Sequence, residues 1–380
     1  MTPSPEKEEF ILNYHLIAPC YFGTEAAAAF DFKRLGAQNV AITDGRVAFE
    51  GDENIIAAAN LWSRCAERVL ILLKTFKADT FDALFDGVSS IAWEDFVPQD
   101  AEFPVKGSSL SSTLTSVPAC QSIVKKAIVE RLKRGHKVSE LPEDGPLYKI
   151  RFSIRKDTVE VMLDTSGDGL HKRGYRKNSM EAPIKETLAA AIIDLGRIYH
   201  DTLAQDPFCG SGTLMIEGAM KAMNMAPGLR RRFTAEQYDF IPQTAWAQQR
   251  EKALSEIKTD CTFEGIGFDI DPAAVALATE NAKLAGVEKH CKFFVADVQN
   301  FAPASGSMIF TNPPYGERLG SPAEVAALEK MLGYRLAQNP VRSAYIITAD
   351  ADFEHNFGKK ANRRRKLYNG MIPCQVYMYF

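Results

Sequence analysis

The chain is 380 residues long, with 45 Lys and Arg against 48 Asp and Glu, a net charge of −3 and a pI of about 6.1. At about 100–200 residues per domain more than one core is expected, and 46% apolar with 24% charged residues excludes a disordered, collagenous or fibrous chain. No apolar run approaches the roughly 20 residues that span a bilayer, MTPSPEKEEF lacks the basic start and apolar stretch of a secretory signal, and seven scattered cysteines encode neither zinc ribbon nor disulfide framework. A reduced, cytoplasmic setting with no membrane partner and no metal site is therefore expected.

Phe10 to Ala18 reads as a strand and Gly23 to Leu35 as a helix. Asp44-Gly45, between two alternating segments, spells a type I′ hairpin. Glu53 to Arg64 returns to helical spacing, giving a small α+β unit with helices on one side of an antiparallel sheet. A second unit follows, with strands at Arg68 to Thr75, Phe103 to Ser108, Lys149 to Ile154 and Val159 to Asp164, and helices at Thr80 to Ile91 and Pro118 to Arg134. The last helix turns Ile123, Ala127, Ile128 and Leu132 to one side and leaves Lys125, Lys126, Lys133 and Arg134 near the other.

The basic, glycine-containing junction TSGDGLHKRGYRKN marks a boundary near Ser166. Beyond it, buried strands alternate with helices as a doubly wound sheet requires. They are read at Thr202 to Asp206, Phe263 to Asp269, Cys291 to Val295, Met308 to Thr311 and Ser343 to Thr348, with a closing antiparallel hairpin through RKLYNG and IPCQVYMYF. Lys221 to Asp260 reads as an inserted helical segment.

The chemistry gathers at the ends of these strands. DPFCGSG, from Asp206, follows a strand and opens a helix, so Gly210 and Gly212 let a ligand lie against the backbone. It lacks the GxGxxG spacing of dinucleotide enzymes and the Lys-Ser/Thr of a triphosphate loop. In GFDIDP, Asp269 stands where a carboxylate can take both ribose hydroxyls, while Asp271 before Pro272 is suited to start a helix. ADV puts Asp297 after the third strand, suited to an adenine amino group. TNPPYGERL is the most specific segment. Its prolines fix the backbone so that the Asn312 side-chain oxygen and the Pro313 carbonyl converge on an amino group, with Tyr315 offering a stacking ring.

Despite the acidic total, cations are dense at Lys125 to Lys137, Lys172 to Lys177, Arg230 to Arg232 and Lys359 to Lys366. Four such clusters favour a polyanionic partner.

Together, DPFCGSG, GFDIDP, ADV and NPPYGERLG resemble class I S-adenosylmethionine-dependent methyltransferases acting on exocyclic amino groups. LHKRGYRKNSMEAPIKETLAAA resembles the segment before the catalytic core of RNA guanine-N2 methyltransferases that carry a THUMP domain, nearest to the large-subunit ribosomal RNA enzymes. The resemblance implies a ferredoxin-like module at 1–65, a THUMP RNA-binding domain at 66–165 and a Rossmann-like methyltransferase domain at 166–380, its mostly parallel seven-stranded sheet ending in an antiparallel hairpin. It places Asp206, Phe208, Gly210 and Gly212 at the methionine end of the cofactor, Asp269 at the ribose and Asp297 at the adenine, with Ile270 also among the cofactor-binding residues. Asn312, Pro313 and Tyr315 would hold the target base, and Lys125, Lys126, Lys133, Arg134, Arg173 and Arg176 would grip RNA. The implied reaction is N2-methylation of guanine in structured RNA, most simply 23S rRNA or its precursor particles. Alternatives are tRNA guanine-N2 methylation, DNA adenine-N6 methylation and a non-catalytic RNA-binding assembly factor. The longest members of the family carry a second fused methyltransferase domain that this sequence lacks, so a second activity of that kind is not expected.

Overall fold

The structure is a computed structural model and describes residues 13–176, 184–314, 321–370 and 372–380. Its front half runs β1 (Tyr14–Pro19), α1 (Glu25–Arg34), β2 (Gln38–Thr43), β3 (Arg46–Gly51), α2 (Glu53–Trp62), β4 (Leu70–Lys77), α3 (Phe81–Ser89), β5 (Val105–Leu110), α4 (Val117–His136), β6 (Ile150–Arg155) and β7 (Thr158–Asp164). The two α+β units read from sequence share one sheet, in the order β2-β3-β1-β4-β7-β6-β5. They join where Leu16 and Ile17 of β1 pair with Ile71 and Leu70 of β4.

The turn at Asp44-Gly45 forms, but it is not type I′. Only Gly45 has positive φ, at 74°, whereas type I′ needs it at both central residues. Tertiary bonds hold this turn: Gly45 N–H donates to Glu25 Oε1 at 3.0 Å, and its carbonyl accepts from Cys20 N–H at 2.9 Å.

The second half runs α5 (Glu186–Leu195), β8 (Leu203–Asp206), α6 (Thr213–Ala222), α7 (Gln243–Ser255), β9 (Glu264–Asp269), α8 (Pro272–Ala285), β10 (Cys291–Val295), β11 (Met308–Thr311), α9 (Pro322–Gln338), β12 (Ser343–Thr348), α10 (Phe353–Phe357), β13 (Arg363–Asn369) and β14 (Ile372–Tyr379). The sheet order is β10-β9-β8-β11-β12-β14-β13. Its first five strands are parallel and the closing pair is antiparallel. Because β8 and β11 are central, their C-terminal ends flank the crevice where open α/β sheets bind ligands.

The inserted segment leaves this sheet and packs on the front half. Phe233, Tyr238, Ile241 and Trp246 share a core with Phe49, Leu61 and Tyr148. The rings of Tyr148 and Tyr238 stack at 4.3 Å, and Tyr238 Oη donates to the Asp164 carbonyl at 2.6 Å. A second tie is ionic. Glu217 on α6 has a fully buried side chain and accepts from Arg64 at 3.1 Å, Arg173 at 3.4 Å and Tyr175 Oη at 3.4 Å. Buried charges survive only when paired and hydrogen-bonded. Glu217 therefore pins the helix that opens at the glycine loop to the front half.

Among the described residues no helix is long and apolar enough to cross a membrane, and no group of three or more His, Cys, Asp or Glu could hold a metal ion. All seven cysteines are buried.

Candidate active site

Register sets the site. Asp206 closes β8 opposite Gly267, so Asp269, two residues further along β9, reaches beyond it toward the turn between β8 and α6. That turn needs left-handed backbone at Gly210 (φ 50°) and at Gly212 (φ 78°), the residue that caps α6. The two glycines do different work. A Cβ at Gly210 would meet nothing within 4 Å, so this residue leaves room for a ligand; one at Gly212 would come 2.8 Å from Phe293 and 3.0 Å from Ala278. Gly212 thus lets the turn pack on β10 and α8 and does not line the cavity.

Asp269 holds the turn in place. Its Oδ2 accepts the Gly210 N–H at 2.9 Å and its Oδ1 the Asp271 N–H at 3.0 Å. Asp271 caps α8 through the Ala273 N–H at 2.9 Å, as its position before proline foretold. Asp206 is buried, with Oδ1 accepting from Phe208 N–H at 3.0 Å and Thr311 Oγ at 2.6 Å. Burial pushes its carboxyl up to about 7, against the pull of those two hydrogen bonds and with a push from Asp269.

A cavity of about 710 Å³ opens above these strand ends. Asp206, Phe208, Gly210, Asp269, Ile270, Asp297 and Asn312 all line it. Its size is within the range of small-molecule sites. Ile270 is 68% exposed, an unusual state for a large aliphatic residue, and offers an apolar face to a planar ligand. Asp297 accepts from Gln299 N–H at 2.8 Å and starts the short turn after β10. Carboxylates on the ends of two neighbouring strands, open backbone at Gly210 and an apolar face at Ile270 suit a molecule with an ammonium, a diol and a flat base.

Asn312 follows β11 directly, and its Oδ1 is buried with no hydrogen-bond partner among the described residues. An unpaired buried acceptor is costly, so this oxygen is set for a donor that arrives with a ligand. Pro313 is buried, and it is Pro314 that borders the cavity. Tyr315 lies outside the described residues.

The sequence-predicted cations separate into distinct roles. Arg173 is 3% exposed and paired with Glu217, which leaves it off the surface that could meet RNA. Arg176 sits beside the glycine turn, its guanidinium at 3.3 Å from Glu186 and 3.4 Å from Ser211 Oγ, and also on Thr213 Oγ1. Along α4, Lys125 pairs with Glu143 at 2.5 Å and lies 3.3 Å from the Phe103 ring centroid, and Lys126 faces Glu130 at 3.7 Å. Lys133 and Arg134 have no carboxylate partner among the described residues, and Arg134 is exposed. Sequence reasoning missed three supports: Thr311 on Asp206, Asn281, whose Nδ2 donates to the Ser211 carbonyl at 3.0 Å, and the turn-holding part of Arg176. Only Thr311, adjoining the NPPY run, carried a positional signal.

A family described as the RMKL-like methyltransferase domain matches residues 173–378, the RlmL ferredoxin-like domain matches 15–70, and the THUMP domain matches 78–164. The chain is 42% identical over 371 residues to YpsC of Bacillus subtilis (strain 168), classed provisionally as an RNA methyltransferase, covering 97% of this chain and 96% of that one. It is 34% identical to the ribosomal RNA large subunit methyltransferase K/L of Syntrophotalea carbinolica (strain DSM 2380 / NBRC 103641 / GraBd1), over 93% of this chain and 52% of that protein, so it spans about half of that relative's length. The crystal structure of SMU.472 in complex with SAH superposes with a TM-score of 0.91 at 40% identity, over 97% of this chain and 98% of that one. S-adenosylmethionine is accordingly the cofactor, and the chain belongs to the RMKL-like methyltransferase family, with ferredoxin-like and THUMP domains ahead of the catalytic one.

Proposed function

We propose that the protein methylates the N2 amino group of a guanine in structured RNA, with 23S rRNA as the substrate. The observation that carries this reading is the buried, unpartnered Oδ1 of Asn312 at the rim of the cofactor cavity. The THUMP match and the two relatives named for RNA methylation support RNA as the polymer. The three-part division at 1–65, 66–165 and 166–380 belongs to the same reading, the first two parts holding RNA and the third performing the transfer.

When bound, S-adenosylmethionine supplies an electrophilic methyl group on its sulfonium. A guanine amino nitrogen is a poor nucleophile because its lone pair is shared with the ring. Asn312 Oδ1 accepts one of its hydrogens, which aims the nitrogen and favours its pyramidal form. Positioning of this kind can lower a barrier substantially. No strong base is needed early, since the proton turns acidic once the nitrogen is alkylated. The target base must leave its stack to reach the rim, and a stacking role for Tyr315 belongs to the same proposal.

The test is methylation of purified 23S rRNA, tRNA and duplex DNA by the full chain, with modified nucleosides identified by mass spectrometry, beside rRNA and tRNA from a deletion strain. 2-Methylguanosine in 23S rRNA, absent from the deletion strain, is the expected result. 2-Methylguanosine in tRNA alone moves the substrate, N6-methyladenine in DNA overturns the reading, and binding without transfer leaves an RNA-binding assembly factor.

A further inference from the structure

A second cavity, of about 720 Å³, lies between the front half and the methyltransferase domain, at the N-terminal end of β8. The cofactor cavity opens at the C-terminal end of β8. This one is lined by Arg197 to His200, in the loop that enters the same strand, and by α1, the end of α2 and β13. Its occupants are therefore distinct from the methyl donor.

The chemistry of its wall is lopsided. It has two acidic residues, and both are already engaged: Asp31 Oδ2 accepts the Arg64 backbone N–H at 2.8 Å, and Asp194 is paired with Lys221. Donors remain over. Arg34, Arg197, Lys258 and Arg365 border the cavity with exposed side chains, and none has a carboxylate partner among the described residues. Arg34 and Arg365 reach only neutral acceptors, Asn224 Oδ1 at 3.5 Å and the Gly23 carbonyl at 2.9 Å. Two further lining residues, Trp62 and Arg64, are buried and each retains an N–H, at Nε1 and Nε, without an acceptor among the described residues.

Two aromatic rings accompany the cations. Phe30 is 66% and Tyr199 53% exposed, and both line the cavity. Arg197, two residues before Tyr199, holds a left-handed φ of 52°, and Asn224 across the cavity one of 53°. A β-carbon-bearing residue such as Arg rarely adopts that backbone, and such strain gathers at ligand sites. Unpaired cations beside exposed rings are what a phosphate joined to a flat heterocycle requires.

We propose that this cavity binds a nucleoside phosphate, with the phosphate held by Arg197 and Lys258 and the base stacked on Tyr199. A free mononucleotide and a nucleotide of a bound RNA strand share that chemistry. The assignment is independent of the methylated base, because the site is at the opposite end of β8 from the cofactor cavity.

The experiment uses the full chain with S-adenosylhomocysteine at saturation, so that the cofactor cavity is filled. Adenosine 5′-monophosphate, inorganic phosphate and a labelled six-nucleotide single-stranded RNA are titrated into the wild type, Arg197→Gly/Lys258→Ala and Tyr199→Ala. Glycine at 197 accepts the left-handed backbone, so it removes the charge without damaging the loop. Binding of the mononucleotide or the oligonucleotide should weaken at least tenfold in each variant, while the melting temperature and the S-adenosylhomocysteine affinity stay unchanged. Oligonucleotide binding alone identifies the strand as the source, and comparable mononucleotide binding identifies a free ligand. Absence of nucleotide binding at millimolar concentration, binding of inorganic phosphate only, or affinities that the variants leave unaltered would overturn the proposal.

Discussion

Thr311, the last residue of β11, donates its hydroxyl to Oδ1 of Asp206, the last residue of β8, across 2.6 Å. The bond links the strand that leads into the glycine turn to the strand that leads into Asn312. It also tempers a buried carboxyl that burial has pushed up to about 7.

That carboxyl gives the site a pH dependence. Its folded-state value exceeds its ordinary one near 4, so the fold favours the protonated form. The stability Asp206 contributes is thus present in acid and lost as pH rises through about 7. A cationic ligand end at Asp206 reverses that preference by favouring the carboxylate. S-Adenosylhomocysteine affinity is expected to climb between pH 6 and 8, and Thr311→Val should move the climb to higher pH. Calorimetric titration across that range checks it, and a flat profile would remove Asp206 from the ammonium end.

Asn312→Ala should keep cofactor and RNA affinity yet lose on the order of 100-fold or more in turnover, as removal of a transition-state contact does. Single-turnover kinetics on 23S rRNA separates the two effects. Transfer at the wild-type rate would reduce Asn312 to a turn residue.

Asp269 supports the Gly210 N–H, and under the proposed function it also holds the cofactor ribose. Asp269→Ala should weaken S-adenosylhomocysteine by about 1–3 kcal/mol, the scale of charge-assisted hydrogen bonds. Asp269→Asn keeps one oxygen acceptor and should lose less. Equal affinity in all three folded proteins would exclude the ribose assignment.

The cations of α4 are not equivalent. Lys133→Ala/Arg134→Ala should raise the RNA dissociation constant and flatten its dependence on salt, because fewer counterions are released. Lys125→Ala should instead lower the melting temperature, since it loses Glu143 and the Phe103 ring. Filter binding over a salt series, read beside thermal melts, distinguishes them; an unchanged slope for the double variant would take RNA anchoring away from this helix.

Glu217→Ala leaves Arg64 and Arg173 buried without their carboxylate. A loss of about 3–5 kcal/mol is expected for such a break, measured by denaturant unfolding. A loss below about 1 kcal/mol would mean that the two arginines find other partners and that this joint does not hold the halves together.

Chain-local patterns already carry the elements and the order of chemistry along them. Alternating strands, Asp271 before Pro272, and acidic or amide residues at successive strand ends are local patterns, and local patterns survive folding because backbone sterics and helix capping act over a few residues. Asp206, Asp269, Asp297 and Asn312 could therefore be named from spacing and meet in one cavity. Tertiary structure decided what each charge does. Arg173 and Arg176 stand three residues apart in one basic run, yet one is buried on Glu217 and the other braces the glycine turn before α6. Burial depends on which distant element packs over a residue, and no sequence window contains α6. The same reason hid the route of residues 226–253 across to the front sheet, the split between Gly210 and Gly212, and the cation-lined cavity at the joint, whose wall draws on α1, the loop before β8 and β13.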